Sequence, residues 1–189
     1  MGGLKVLLAS RNRNKLRELS ALLPDWELEP LDAEDYPPET GETYYENARA
    51  KALFGPDDEW VLGEDSGLEV EALGGRPGVR SARYGAEGTE ANERLLGELG
   101  GVEDRAARYV CELVLIAPDR RELRGTGVLE GQIADEPRGS EGFGYDPIFV
   151  PEGEQQTVAE LGNEWKSRNS HRARAARALS GQARSLLGH

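Results

Sequence analysis

The chain opens on a short apolar run, Leu4, Val6, Leu7 and Leu8, broken only by Lys5, and the period of its apolar positions then changes. A strand is predicted over 4–9, followed by a helix from about 13 to 23 with Leu16, Leu19, Leu22 and Leu23 on one side. Thr43 and Glu46 stand at capping-box spacing, which predicts a second helix reaching about Phe54. Trp60-Val61-Leu62 reads as a short buried strand and 68–72 as another, with Glu64-Asp65-Ser66-Gly67 as an acidic strand end and turn between them. Thr89 can cap a third helix carrying Leu95, Leu96 and Leu99. Two long strands, 109–117 and 122–133, joined at Pro118-Asp119-Arg120, predict an antiparallel hairpin. A strand over 147–150 and a last helix after Ser170 complete the series. Alternation of this kind predicts an α/β fold, with a mixed central sheet flanked by helices.

Composition narrows this picture. A length of 189 residues with 38% hydrophobic content suffices for one well-formed core and not for two independent domains, so a single domain over 1–189 is expected. Cys111 is the only cysteine and lies in an apolar stretch, which makes it a buried thiol and suits a reducing cytoplasm. The opening MGGLKVLL is too short an apolar run for a signal peptide, and no long apolar segment follows, so neither export nor a membrane partner is expected. A net charge of -12 argues against nucleic acid as a partner. The charge is unevenly spread. All 35 acidic residues and 17 of the 23 cationic ones lie in residues 1–164, whereas Lys166, Arg168, Arg172, Arg174, Arg177 and Arg184 follow the last acid, Glu164.

Besides the paired carboxylates Glu64 and Asp65, four segments carry residues suited to chemistry. The loop Ser10-Arg11-Asn12-Arg13-Asn14-Lys15 precedes a helix, where free N–H groups and the positive helix end favour a phosphate. Capping by Ser10 or Asn12 accounts for it equally well, and the glycines of a P-loop are missing. Asn47 and Lys51, four apart on the second helix, share a face and follow the acidic stretch Glu39-Thr40-Gly41-Glu42. Lysine is scarce here: 19 of 23 cations are arginine, leaving Lys5, Lys15, Lys51 and Lys166. A compact ammonium suits a phosphate as a mobile point charge, where arginine imposes a planar fork. Phe143-Gly144-Tyr145-Asp146, preceded by Gly142, combines a close-approach loop with two aromatic faces and an acceptor, fit for a planar base or for a turn with core aromatics. In Asn169-Ser170-His171-Arg172, Ser170 can cap the last helix, and cations in its first turn oppose the helix dipole unless an anion or carbonyl oxygen meets them.

Taken in order, these segments resemble the inosine triphosphate pyrophosphatase family, enzymes that hydrolyse nonstandard purine nucleoside triphosphates. The resemblance is carried by ASRNRNK at 9–15, ETGETYYENARAKA at 39–52, EDSGLEVEALGGRPGVRSARYG at 64–85, GFGYDPIF at 142–149, and Ala159-Glu160-Leu161 with Lys166 and Ser170-His171-Arg172. It implies an elongated, two-lobed single domain with a cleft, a Mg2+ cofactor, a homodimer, and release of pyrophosphate from ITP, dITP or XTP by attack at the α-phosphorus. Ser10, Asn12 and Lys15, with Arg11, Arg13 and Asn14 in the same loop, are then the triphosphate site, and Lys51 faces phosphate oxygens. Asp65 is the implied magnesium ligand and general base, Ser66 touches substrate, and Glu39 is the second ligand, with Asp35, Glu42 or Glu64 as substitutes. Phe143, Gly144, Tyr145 and Asp146 line the base pocket, and Lys166, His171 and Arg172 close it, Arg172 donating to a purine 6-oxo group. Three residues depart from the common pattern: Glu64 replaces an aspartate, Trp165 a glutamate and Arg11 a glycine. Two other readings stand beside this one, a related pyrophosphatase for modified pyrimidine nucleotides and a nucleotide sensor without turnover.

Overall fold

The computed structural model describes residues 3–85 and 89–187. Its elements are β1 (Leu4–Leu8), α1 (Arg13–Leu22), β2 (Trp26–Pro30), α2 (Tyr44–Phe54), β3 (Val61–Val70), α3 (Thr89–Glu98), β4 (Ala106–Ile116), β5 (Glu122–Ile133), β6 (Phe149–Pro151), α4 (Val158–Asn169) and α5 (His171–Leu187). Six strands form one mixed sheet in the order β2-β1-β3-β4-β5-β6. β1 runs parallel to β2 (Leu4 opposite Trp26) and to β3 (Leu7 opposite Val61), and β5 is antiparallel to β6 (Gly131 opposite Pro151). Parallel neighbours need a crossover, and α1 supplies it between β1 and β2. The expected α/β fold with a mixed sheet is therefore present.

Local chemistry explains most boundaries. Asn12 caps α1, its side chain accepting from the Asn14 and Lys15 N–H groups. The capping box of α2 is complete, Thr43 accepting from Glu46 N–H while the Glu46 carboxylate accepts from Thr43 N–H. Two elements lay outside the sequence reading. β2 is a five-residue edge strand ending in Pro30, and short edge strands leave little periodicity to read. α4 had a signal, the capping pair Thr157 and Glu160, but Gly162 interrupts it with a non-helical φ of 85°.

One expectation is corrected. Residues 61–70 form a single ten-residue strand, not two strands divided by a turn at Glu64-Asp65-Ser66-Gly67. Polar residues suggest a turn only when nothing neutralises them. Here cations from three helices meet the two carboxylates, so the ladder continues.

The chain divides into two compact units, each built from separated segments. The first comprises the described residues up to Asp65, Cys111–Gly127, and those from His171 onward; the second comprises Ser66–Val110 and Val128–Ser170. In the first unit, Val6, Leu8, Leu62 and Leu113 of the sheet pack with Leu19 of α1 and with Ala175, Ala176 and Leu179 of α5. Ala48 and Ala52 of α2 pack separately, on Val114 and Ile116. α2 comes very close to β3 because Gly63 has no side chain: a Cβ built there would lie 1.9 Å from the Ala48 carbonyl oxygen. The core of the second unit gathers Leu68, Val70, Leu95, Leu99, Tyr109, Ile148 and Phe149.

Among the described residues, at least four of the six late cations have acidic partners. Lys166 meets Asp146 at 2.6 Å, Arg168 meets Glu164, Arg172 meets Glu18 and Glu64, and Arg184 meets Asp25 at 3.1 Å. The exposed pairs, such as Arg184 with Asp25, stabilise by at most about 1 kcal/mol each. The buried ones define the sites below. Among the described residues no helix is long and apolar enough to cross a membrane.

Candidate active site

Successive residues of a strand point to opposite faces of its sheet. The uninterrupted β3 therefore sends Glu64 and Asp65 in opposite directions, Asp65 toward α2 and Glu64 toward α1 and α5. On the α2 side, Asn47 donates from Nδ2 to Asp65 Oδ2 at 3.0 Å and accepts the Gly41 N–H on Oδ1 at 2.8 Å. That amide has only one sensible orientation, since Gly41 N–H can only donate and the carboxylate only accept. Lys51 Nζ lies 3.1 Å from the Glu64 carbonyl oxygen, 3.4 Å from Asp65 Oδ1, and closest to the Glu39 carboxylate. Burial works against the Lys51 ammonium, but Asp65, Glu64 and Glu39 outweigh it and hold its pKa above the ordinary value. At Asp65 burial prevails: it pushes the carboxyl up, because Lys51 and Asn47 compensate only in part and Glu64 adds a like charge. A desolvated carboxylate of this kind gains strongly from a nearby cation.

Glu39 and Asp65 thus converge on one cationic position, offering hard oxygen donors of the type that magnesium takes. Among the described residues no group of three or more His, Cys, Asp or Glu side chains forms a metal cage. A magnesium ion held by two carboxylates with water and phosphate oxygens needs none. Of the alternative ligands, Asp35 and Glu42 are exposed and Glu64 faces elsewhere.

On the other face, Glu64 is 0% exposed. Its Oε2 lies 2.5 Å from Lys15 Nζ and its Oε1 2.9 Å from an Arg172 nitrogen. Burial alone would raise this carboxyl, but Lys15, Arg172 and Lys51 hold it well below the usual range. The second Arg172 nitrogen reaches Glu18, so this guanidinium, expected at a purine 6-oxo group, lies between two carboxylates. Those carboxylates also answer the question of why cations begin a helix. His171 beside it is buried. In the loop before α1, Ser10 accepts from Asn12 N–H, Asn14 accepts from Arg17, and Arg13 is exposed. Arg11 turns away from the loop, donating to the Glu34 carbonyl and lying 5.1 Å over the Tyr36 ring.

Cys111 also lies on this face, fully buried, with Sγ 3.7 Å from Glu64 Oε1. Burial and the Glu64 charge push its thiol well above the ordinary pKa. Native protein should accordingly stay unlabelled by iodoacetamide and take up one equivalent in guanidinium; rapid labelling without denaturant contradicts this packing.

The second unit holds Phe143, Gly144, Tyr145, Asp146 and Lys166 together. The buried Asp146 accepts from Phe143 N–H at 2.8 Å, from Lys166 at 2.6 Å, and from the Tyr109 hydroxyl at 3.3 Å. Gly142 is required there, with φ of 79° and a Cβ position 2.1 Å from Asp146 Oδ2. Tyr145 donates to the Ser81 carbonyl at 2.9 Å, and Asn92 holds the Gly144 carbonyl at 3.1 Å. Asp146 and Tyr145 thus build the loop, while the half-buried Phe143 and the exposed Gly144 form its surface, with Lys166 Nζ 4.2 Å from the Phe143 ring centroid. Ser66 begins this unit, one residue after Asp65. Sequence reasoning missed Glu18, Asn92 and Tyr109. Glu18 was readable, three residues after Lys15 on one helix face, whereas nothing local marks Tyr109 or Asn92.

A family model described as the Ham1 family matches residues 6–182. The chain belongs to the Ham1 family. Among Ham1-family relatives, a dITP/XTP pyrophosphatase of Gloeobacter violaceus is 46% identical over 178 residues, covering 92% of this chain and 91% of that protein. One of Treponema denticola is 45% identical over 188 residues, covering 94% of this chain and 97% of its own. The Ham1 protein of Staphylococcus aureus superposes with a TM-score of 0.82 at 37% identity, over 97% of this chain and 98% of that one. Likeness to Ham1 proteins thus runs through both units, including all the segments described above.

Proposed function

We propose that this chain is a nucleoside triphosphate pyrophosphatase that hydrolyses the nonstandard purine nucleotides ITP, dITP and XTP to the monophosphate and pyrophosphate. Likeness to dITP/XTP pyrophosphatases along nearly the whole chain supports the substrate class. The observation that carries the chemistry is Asp65, buried, fixed by Asn47, and set beside Lys51 and Glu39. A carboxylate whose proton affinity is raised by burial is suited to take a proton from water as it attacks phosphorus. Lys51 and Lys15 supply positive charge for phosphate oxygens. Glu39 and Asp65 are the residues that would hold magnesium, which when bound neutralises phosphate charge and favours deprotonation of water. Phe143 offers a stacking face to the base, and Lys166 a donor beside it. A donor facing position 6 favours hypoxanthine or xanthine, because adenine presents an amino group there and leaves that donor unpaired. A homodimer, expected from the family resemblance, belongs to the same reading.

Pyrophosphate release measured across a nucleotide panel tests this. ITP, dITP and XTP should turn over well above ATP and GTP, and EDTA should abolish the reaction. Equal turnover of all five rejects the specificity, preference for modified pyrimidine nucleotides favours the neighbouring enzyme class, and tight binding without turnover makes the chain a sensor.

A further inference from the structure

Asp65, Lys51 and Glu39 lie on one face of β3, and the reading above leaves the other carboxylate of the pair without a task. Glu64 is removed from water altogether, 0% exposed. Isolating a carboxylate in this way costs several kcal/mol unless its partners are well placed, so its partners are the best clue to its role. They are two cations from helices at opposite ends of the sequence: Lys15 of α1 at 2.5 Å from Oε2, and Arg172 of α5 at 2.9 Å from Oε1. The other Arg172 nitrogen lies 2.5 Å from Glu18, three residues beyond Lys15 on α1. One carboxylate in the sheet thus fixes two helices, and both of its oxygens face cations. Neither is directed at the position shared by Glu39 and Asp65.

We infer that Glu64 is a positioning residue: it holds the Lys15 ammonium in place for the substrate phosphates, with Arg172 as its second anchor, and it is not a magnesium ligand. This rests on the reading of Lys15 as a phosphate-binding residue. The length of the side chain matters. An aspartate would draw the carboxylate back by about 1.5 Å, one carbon–carbon bond, and it could not keep both contacts without moving a helix.

Glu64→Gln and Glu64→Asp, each checked for folding by circular dichroism, decide the matter alongside Lys15→Met and the double variant with Glu64→Gln. Glu64→Gln should raise KM for ITP about tenfold, the effect of one charge-assisted contact, while leaving half-saturating magnesium within about twofold of wild type. Calorimetry of ITP binding in EDTA should show the same loss, because positioning of Lys15 needs no metal. In the Lys15→Met background, Glu64→Gln should change KM little further, since the two residues act as one unit. Glu64→Asp should fall between wild type and Gln, and it carries the comparison by itself if the Gln variant does not fold. The inference is overturned by a tenfold shift in half-saturating magnesium with unchanged binding in EDTA, or by full additivity with Lys15→Met. A wild type that releases no pyrophosphate from any nucleotide rejects the proposed function instead, which the binding measurement in EDTA separates from the role of Glu64.

Discussion

Asp65→Asn should abolish pyrophosphate release, lowering kcat by about 10²- to 10⁴-fold, the range for loss of a general base. The substitution keeps the shape of the side chain and destroys its pattern of acceptors. Asp65 accepts on one oxygen from Asn47 and faces Lys51 with the other, so an amide must turn its NH2 group toward one of two donors. Rotating Asn47 gives no relief, because its own amide would then point a donor at Gly41 N–H. One buried donor is left unpaired in every arrangement, a loss of about 1–3 kcal/mol of stability. The expected result is a folded, modestly destabilised protein without turnover. Full activity in this variant would remove Asp65 from the chemistry, and unfolding at ambient temperature would show that the site tolerates no unpaired donor.

Gly63→Ala should be nearly as damaging, although no substrate is expected to touch Gly63. Its Cβ would fall 1.9 Å from the Ala48 carbonyl oxygen and 2.8 Å from the Ala52 nitrogen, both backbone atoms of α2, where at least about 3 Å is needed. The helix must therefore retreat by about 1 Å. Overpacking of this sort costs about 1–3 kcal/mol, which for a chain of this size lowers Tm by about 2–4 °C per kcal/mol. The functional loss should be larger. Asn47 and Lys51 ride on the same helix, and a misplacement of about 1 Å at a reacting centre can reduce the rate by about 10²-fold. Thermal melts and kinetics on one preparation check both parts. A variant with wild-type Tm and kcat would mean that α2 is not held at this distance.

Most of the fold could be read from local patterns, because local rules govern the elements concerned. The capping box at Thr43 and Glu46, the apolar face of α1 and the long strands about Pro118 depend on neighbours in sequence, and each is where periodicity and capping place it. The expected turn at Glu64-Asp65 failed for a nonlocal reason. Whether a polar pair ends a strand depends on what meets it, and Lys15 and Arg172 lie 49 and 108 residues from Glu64, and Lys51 14 from Asp65, in the chain. The same limit applies to Arg172. Its position at the start of a helix leaves open what it meets, and the anions Glu18 and Glu64 that flank it come from distant parts of the chain. Tyr109 reads only as a strand residue, and its hydroxyl gains meaning once the fold brings Asp146 to it.

The order of synthesis gives the discontinuous first unit a further significance. Its first strands and helices leave the ribosome early, but Ala175, Ala176 and Leu179, which complete their core, lie on α5, which is made only after the whole second unit. Arg172, the second cation on Glu64, arrives with them. Until then the nascent chain holds a carboxylate with half of its neutralising charge and a core open on one side, a species that invites chaperone binding or aggregation. Competence for catalysis thus waits on the synthesis of α5.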